Sequence, residues 1–165
     1  MMPQVQDRIA LRSATRGDAA FLARLYCETR RGEVSAWGWP EAQQEMFLRM
    51  QFDAQSRCYR AQFPDASDHI VILDDAPIGR RMVSRNPSEI RLIDLALLED
   101  FRNRGIGASL LHPLIEECHV SGLPLRLSVL RGNPAIRLYA RLGLLATGAD
   151  ELYVQMELGP AGGDR

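Results

Sequence analysis

Lysine is absent from this 165-residue chain. All 20 basic residues are arginine, set against 21 acidic ones for a formal net charge of -1. A balance so near neutral removes the electrostatic case for a partner nucleic acid or an anionic membrane, because both rely on a basic surplus. Without lysine no GxxxxGK[ST] phosphate loop can exist, and no GxSxG or HExxH occurs either, which removes the commonest hydrolase signatures. Cysteine is scarce: Cys27, Cys58 and Cys118 lie far apart and form no CxxC, so neither a disulfide framework nor a zinc knuckle is expected and the thiols read as reduced. His112 and His119 flank Cys118 at helical spacing, but no carboxylate completes a ligand set, so no metal is expected. No apolar run approaches the roughly eighteen residues of a membrane span, and Met1 to Arg8 has no basic segment leading into an apolar one. The expectation is a cytoplasmic protein with no signal peptide.

What is present is ordinary for a globular domain, with 46% hydrophobic and 25% charged residues. No repeat or linker divides the chain, so residues 1–158 read as a single mixed α/β domain and 159–165 as a loose tail. Ile9 to Leu11 reads as a strand, and Asp18 caps a helix carrying Phe21, Leu22, Leu25 and Thr29. Gly32 to Pro40 reads as a turn, followed by a helix with Phe47, Met50, Ala54 and Cys58 on one face and closed by Pro64. His69 to Leu73 and Ile78 to Ser84 form a predicted hairpin about Asp74-Asp75-Ala76-Pro77. Glu89 to Leu98 has the long apolar character of a central strand buried on both faces. The glycines at 105 and 107 open a helix that Gly122 ends, with a bend expected at Pro113. Leu125 to Leu130 is a strand, Asn133 caps a short helix with Pro134 at its first position, and two strands, 144–147 and 152–158, finish the domain.

The stretch from Leu95 to Ser109 carries the chemistry: a buried strand runs through a short loop into a glycine-opened helix. Such a helix start presents unpaired N–H groups and the positive end of the macrodipole. Gly105 and Gly107 leave room for a phosphate to approach the backbone, and Arg102 and Arg104 add charged donors, so an anion site for a pyrophosphate is expected. Helix-opening glycines also serve close packing. A dinucleotide fingerprint from Gly105 would need a third glycine at Leu110, so a Rossmann dehydrogenase is disfavoured.

Arg102-Asn103-Arg104-Gly105-Ile106-Gly107 resembles the Q/R-x-x-G-x-G/A motif of the GCN5-related N-acetyltransferase (GNAT) superfamily. The likeness extends to the opening strand Ile9 to Thr15 with Asp18 and to the hairpin Leu73 to Gly79. It continues in Asn133, Ala135, Leu138-Tyr139 and Leu142-Gly143-Leu144, where Leu144 replaces the usual Phe, and in Tyr153, Met156 and Leu158 of the last strand. The resemblance implies the GNAT fold, with about seven strands and four helices, and acetyl-CoA (coenzyme A) as donor. It implies that the pantetheine arm pairs with the backbone of Leu95, Ala96 and Leu97. The pyrophosphate falls, by the same resemblance, on the amides of Arg104, Gly105, Ile106, Gly107, Ala108 and Ser109, with Arg102, Asn103 and Asn133 also at the cofactor. Free strand-edge amides suit an amide-bearing ligand and would polarise a thioester carbonyl.

Acyl transfer to an amine needs a base and often an acid. The resemblance places Tyr139 as the acid, against a purely packing role. Where some relatives carry a glutamate in the fifth strand this chain has Ser128; Glu89, Arg91 and Asp94 lie on or just before the central strand, another place where the resemblance puts a carboxylate, and Asp94 has the most apolar surroundings, which would raise its pKa. Asp94 also reads as a buried hydrogen-bond acceptor. Glu41 with Glu45 would greet a cationic acceptor or only favour a helix start. Trp37 and Trp39 would line the acceptor wall or form a lid on the core. The expected partner is a small-molecule or peptide amine, with the protein a monomer or homodimer. The alternative is a non-catalytic acyl-CoA-binding module that kept the cleft and lost the base. Lacking lysine, the chain has no side-chain amine to acetylate on itself.

Overall fold

The computed structural model describes residues 4–160; the predicted tail falls, from residue 161 on, outside them. Seven strands form one sheet: β1 (Ile9–Ser13), β2 (Ser67–Leu73), β3 (Ala76–Asn86), β4 (Glu89–Leu97), β5 (Leu125–Leu130), β6 (Leu145–Ala149) and β7 (Tyr153–Leu158). Their order is β1-β2-β3-β4-β5-β7-β6, with β4 in the middle. All neighbours are antiparallel except β4 and β5. A parallel pair needs a crossover, and α3 (Ile106–Ser121) supplies it. The other helices are α1 (Ala19–Ser35), α2 (Glu41–Gln62) and α4 (Ala135–Arg141). None among the described residues is long and apolar enough to cross a membrane.

Local chemistry explains the joints. The hairpin turn is tighter than the sequence suggests: Asp74 and Asp75 both adopt positive φ, 48° and 66°, the primed geometry that matches strand twist, and Ala76 and Pro77 already belong to β3. Gly122, at φ 73°, closes α3 by donating its N–H to the Cys118 carbonyl. Asn133 caps α4 as expected, its Oδ1 accepting the Ala135 N–H at 2.9 Å. Pro113 lies within a continuous α3, and its missing N–H leaves the Ser109 carbonyl without a helical donor. In that turn the buried Arg81 donates through Nη1 to the Leu110 carbonyl at 2.9 Å, tying the helix to β3.

Two faces are covered. Val83, Ile90, Leu92, Leu111, Leu114, Cys118 and Leu127 pack with Tyr139 between the sheet and α3 and α4. Cys27, Val34 and Leu48 pack between α1 and α2 on the other side. The face predicted for the second helix holds only at Phe47, which packs on the α1–α2 cluster. Met50, Ala54 and Cys58 are exposed, and Leu48, Phe52 and Tyr59 point inward instead. This helix packs chiefly on α1, so only a narrow stripe is covered, and the widely spread apolar residues of its sequence did not define which stripe.

The central strand departs from regularity where it matters. Met82 pairs with Asp94 but Val83 pairs with Leu92, so Ile93 is an extra residue, a β-bulge. Because side chains alternate faces, the bulge reverses the alternation beyond it: Ile90 and Leu92 face α3, whereas Asp94 and Ala96 face α1 and α2. Pairing of β4 with β5 is confined to Ile90, Leu92 and Arg91 against Leu125 to Leu127. Past that point the strands splay. The predicted burial on both faces therefore fails: Ile90 and Leu92 are buried on the α3 face alone, Arg91 between them is half-buried, and so are Ile93 to Leu97.

Candidate functional site

The splay leaves one edge of β4 without a strand partner. The Leu98 N–H donates to the Ile78 carbonyl on β3, so by strand alternation Ala96 also faces β3, and Leu95 and Leu97 turn their backbone groups into the gap. Arg102 reaches back to this edge, its Nε donating to the Leu97 carbonyl at 3.0 Å. That guanidinium is thus committed to the strand end, which leaves the Leu97 N–H and the Leu95 C=O facing the gap.

At the end of β4 a short 3₁₀ turn, Glu99–Phe101, leads to α3. The Glu28 carboxylate of α1 accepts the Glu99 N–H at 2.6 Å and anchors this loop. Asn103 and Gly105 both have positive φ, 59° and 78°, which directs successive amides toward one side. The Ser109 N–H is already spent on the Gly105 carbonyl, so the unpaired amides at the helix start are those of Ile106, Gly107 and Ala108. Arg104 stacks over the Phe101 ring at 5.6 Å. Gly107 has a packing duty as well: a Cβ there would lie 2.9 Å from Leu138 of α4.

On the opposite face of β4 lies a cleft with about 340 Å³ of open space, walled by Tyr26 and Arg30 of α1, Phe52 and Gln55 of α2, and Arg80 and Asp94 of the sheet. Burial raises the Asp94 pKa above the ordinary carboxylate range, outweighing the opposing pull of Arg80 and Arg30. Arg80 does not neutralise Asp94 closely. It holds Asp68 in a bidentate pair at 2.8 Å and stands 3.7 Å from Asp94. Glu89, by contrast, is locked to Arg91 and Arg126, which hold its pKa down. Of the two carboxylates on β4, only Asp94 has the environment of a base.

Tyr139 is buried, 5% exposed, within the core beside the splay. Desolvation, with the Asp94 charge in addition, pushes its phenol well above the ordinary value. Its hydroxyl makes no hydrogen bond among the described residues. The remaining sequence candidates lie apart from the cleft. Ser128 donates to Gln155 Oε1 across β5 and β7. Glu41 lines a second depression between α1 and α2, together with Arg31 and Glu45. Trp37 and Trp39 pack edge-on against each other and against Phe47, with the indoles 49% and 37% exposed; neither touches the Asp94 cleft.

Sequence reasoning missed Arg80, Arg30, Tyr26 and Phe52. The adjacent arginines 80 and 81 in an otherwise apolar strand were the available signal, because arginine in such a run is buried only when paired. Gly79, just before them, is buried against β4: an added Cβ would lie 2.4 Å from the Ala96 carbonyl oxygen. Gly79→Ala must therefore push β4 away at the segment that offers Leu95 and Leu97. The expected cost is about 1–3 kcal/mol, read as a fall of roughly 2–10 °C in Tm in a thermal melt. An unshifted Tm would mean that the strand yields freely.

A family model described as Acetyltransferase (GNAT) family matches residues 22–144. No curated protein matches the chain. Among solved structures, the PaiA N-acetyltransferase of Thermoplasma acidophilum in complex with coenzyme A aligns with TM-score 0.70 and 20% identity over 92% of this chain and 98% of that one. A GCN5-related N-acetyltransferase of Rhodopseudomonas palustris gives 0.67 and 18%, over 96% and 98%. The ribosomal-protein-S18-alanine N-acetyltransferase of Escherichia coli gives 0.57 and 19%, over 92% and 93%. At these identities the likeness concerns the fold, and it agrees with the expected architecture of seven strands and four helices.

Proposed function

Since the chain belongs to the acetyltransferase (GNAT) family, we propose that it transfers an acetyl group from acetyl-CoA to a primary amine by direct attack. The observation that carries this reading is the position of Asp94: an incompletely neutralised carboxylate in a cleft, on the same strand whose unpaired edge faces the splay. Acetyl-CoA, when bound, supplies the acetyl group activated as a thioester. The residues fit such a donor, because the C=O of Leu95 and the N–H of Leu97 on the unpaired edge match an amide-bearing arm. The amides of Ile106, Gly107 and Ala108, at the positive end of α3, suit its pyrophosphate.

Asp94 takes the proton from the incoming ammonium, directly or through one water; its raised pKa narrows the gap that this transfer must cross. Tyr139 is protonated at neutral pH, as any phenol is, and it gives its proton to the thiolate as charge develops there, against the cost that burial adds by raising its pKa. The strand-edge amides hold the thioester carbonyl. The test is a calorimetric titration with CoA combined with a thiol-release assay over a panel of amines and peptides. Binding together with acceptor-dependent CoA release is expected. No CoA binding at high micromolar concentration would overturn the reading, and binding without release from any acceptor would turn it into a non-catalytic acyl-CoA-binding module.

A further inference from the structure

The Asp94 cleft carries more charge than a base requires. Its two arginines differ in how they are used. Arg80 is saturated by Asp68 and by the Met82 sulfur, with Asp94 beyond. Arg30 makes no side-chain hydrogen bond among the described residues. Its guanidinium stacks over Tyr26 at 5.3 Å, and its nearest carboxylate, Glu33, stands 3.6 Å away on the solvent side, itself 58% exposed. The Arg30 side chain is only 23% exposed. A guanidinium offers five N–H donors and no acceptor, so a largely desolvated one without a hydrogen-bonded anion is matched best by an incoming carboxylate, which it grips in a planar fork.

We propose that the acceptor is a small amino acid or close analogue, a molecule that brings its ammonium to Asp94 and its carboxylate to Arg30 within the same cleft. The proposal rests on the acetyltransfer reading above and names the substrate class of that site. Tyr26 and Phe52, with ring centroids 5.6 Å apart, provide an apolar wall for a side chain. The charges also select against other amines. A polyamine would press a second cation toward Arg30 and Arg80, and an extended peptide with a free N-terminus has no α-carboxylate beside its amine.

The test uses the full chain with acetyl-CoA and pairs of acceptors that differ only in the carboxylate: phenylalanine with phenethylamine, histidine with histamine, and methionine with 3-(methylthio)propylamine, along with short unblocked peptides. The ratio of kcat/KM within each pair is the readout. For at least one pair a ratio of about tenfold or more in favour of the amino acid is expected, collapsing in Arg30→Gln and partly restored in Arg30→Lys, with CoA affinity measured in each variant to show an intact fold. Equal kcat/KM within every pair, a preference for peptides, or a ratio unaffected by Arg30→Gln would overturn the proposal. If no acceptor is turned over, the acetyltransfer reading fails separately. Calorimetric titration of the same pairs into the CoA-loaded protein then decides the binding claim, with equal affinity within each pair as the refuting result.

Discussion

Asp94→Asn is expected to lower kcat by about 100-fold or more, the usual contribution of a positioned general base, while leaving CoA affinity and the fold intact. Asparagine is isosteric, and Arg80 keeps its bidentate partner Asp68, so no buried charge is stranded. The pH profile adds a second readout. The base works only when ionised, and burial raises the pKa of Asp94. The wild-type kcat/KM should therefore fall with acid at a pH above the ordinary carboxylate range of about 4, and that limb should vanish in the variant. Stability moves the other way. A carboxyl whose folded pKa exceeds its unfolded one binds more protons in the folded state between the two values, so stability declines as pH rises through that window. Removing the charge should leave the neutral-pH Tm unchanged or slightly higher, the pattern of a site that trades stability for activity. Wild-type turnover in this variant would move the base elsewhere.

Tyr139→Phe is expected to reduce kcat by about 100-fold with little change in the dissociation constant for acetyl-CoA. The ring stays in the core that it fills with Leu92, Leu127 and Leu144. The hydroxyl has no protein partner whose loss would orphan a buried group, so Tm should hold. The role of the phenol can be separated from packing by the leaving group. An acetyl thioester of a more acidic thiol needs less help in departing, and it should recover part of the lost rate in the variant. Because its pKa is raised, Tyr139 should also impose no alkaline fall in kcat near neutral pH. Undiminished turnover would reassign Tyr139 to packing alone.

Some of this was legible from the residues in order. Turn chemistry and period give the alternation of strands and helices, because Gly122, Asn133 and the Asp74-Asp75 turn each impose backbone geometry locally. The strand-to-helix turn between Leu95 and Ser109 was readable for the same reason. The end of α1 is the exception, since the helix runs through Gly32 to Ser35 where a turn was expected. The inward stripe of α2 was not readable, because apolar residues lie on several sides of that helix and only its contact with α1 selects Leu48, Phe52 and Tyr59. Trp37, Trp39 and Glu41 looked like acceptor residues through their composition and position, yet the chain turns them away from Asp94. The walls of the Asp94 cleft, Tyr26, Arg30 and Phe52, are unremarkable until two helices are laid over the sheet.

The sequence by itself determined the family resemblance, the domain's element order, the glycine-opened helix start and the confinement of all cationic chemistry to arginine, because each is written in local spacing or residue type. The tertiary structure decided where Asp94 points. In a run dominated by Ile and Leu the bulge at Ile93 leaves no mark, since Leu92, Ile93 and Leu95 would satisfy either face. Only pairing with β3 shows that one extra residue reverses the alternation and turns a carboxylate from the α3 side into the cleft beside Arg30 and Arg80. The splay between β4 and β5 is of the same kind, a property of two strands distant in sequence that pair over three residues and then part.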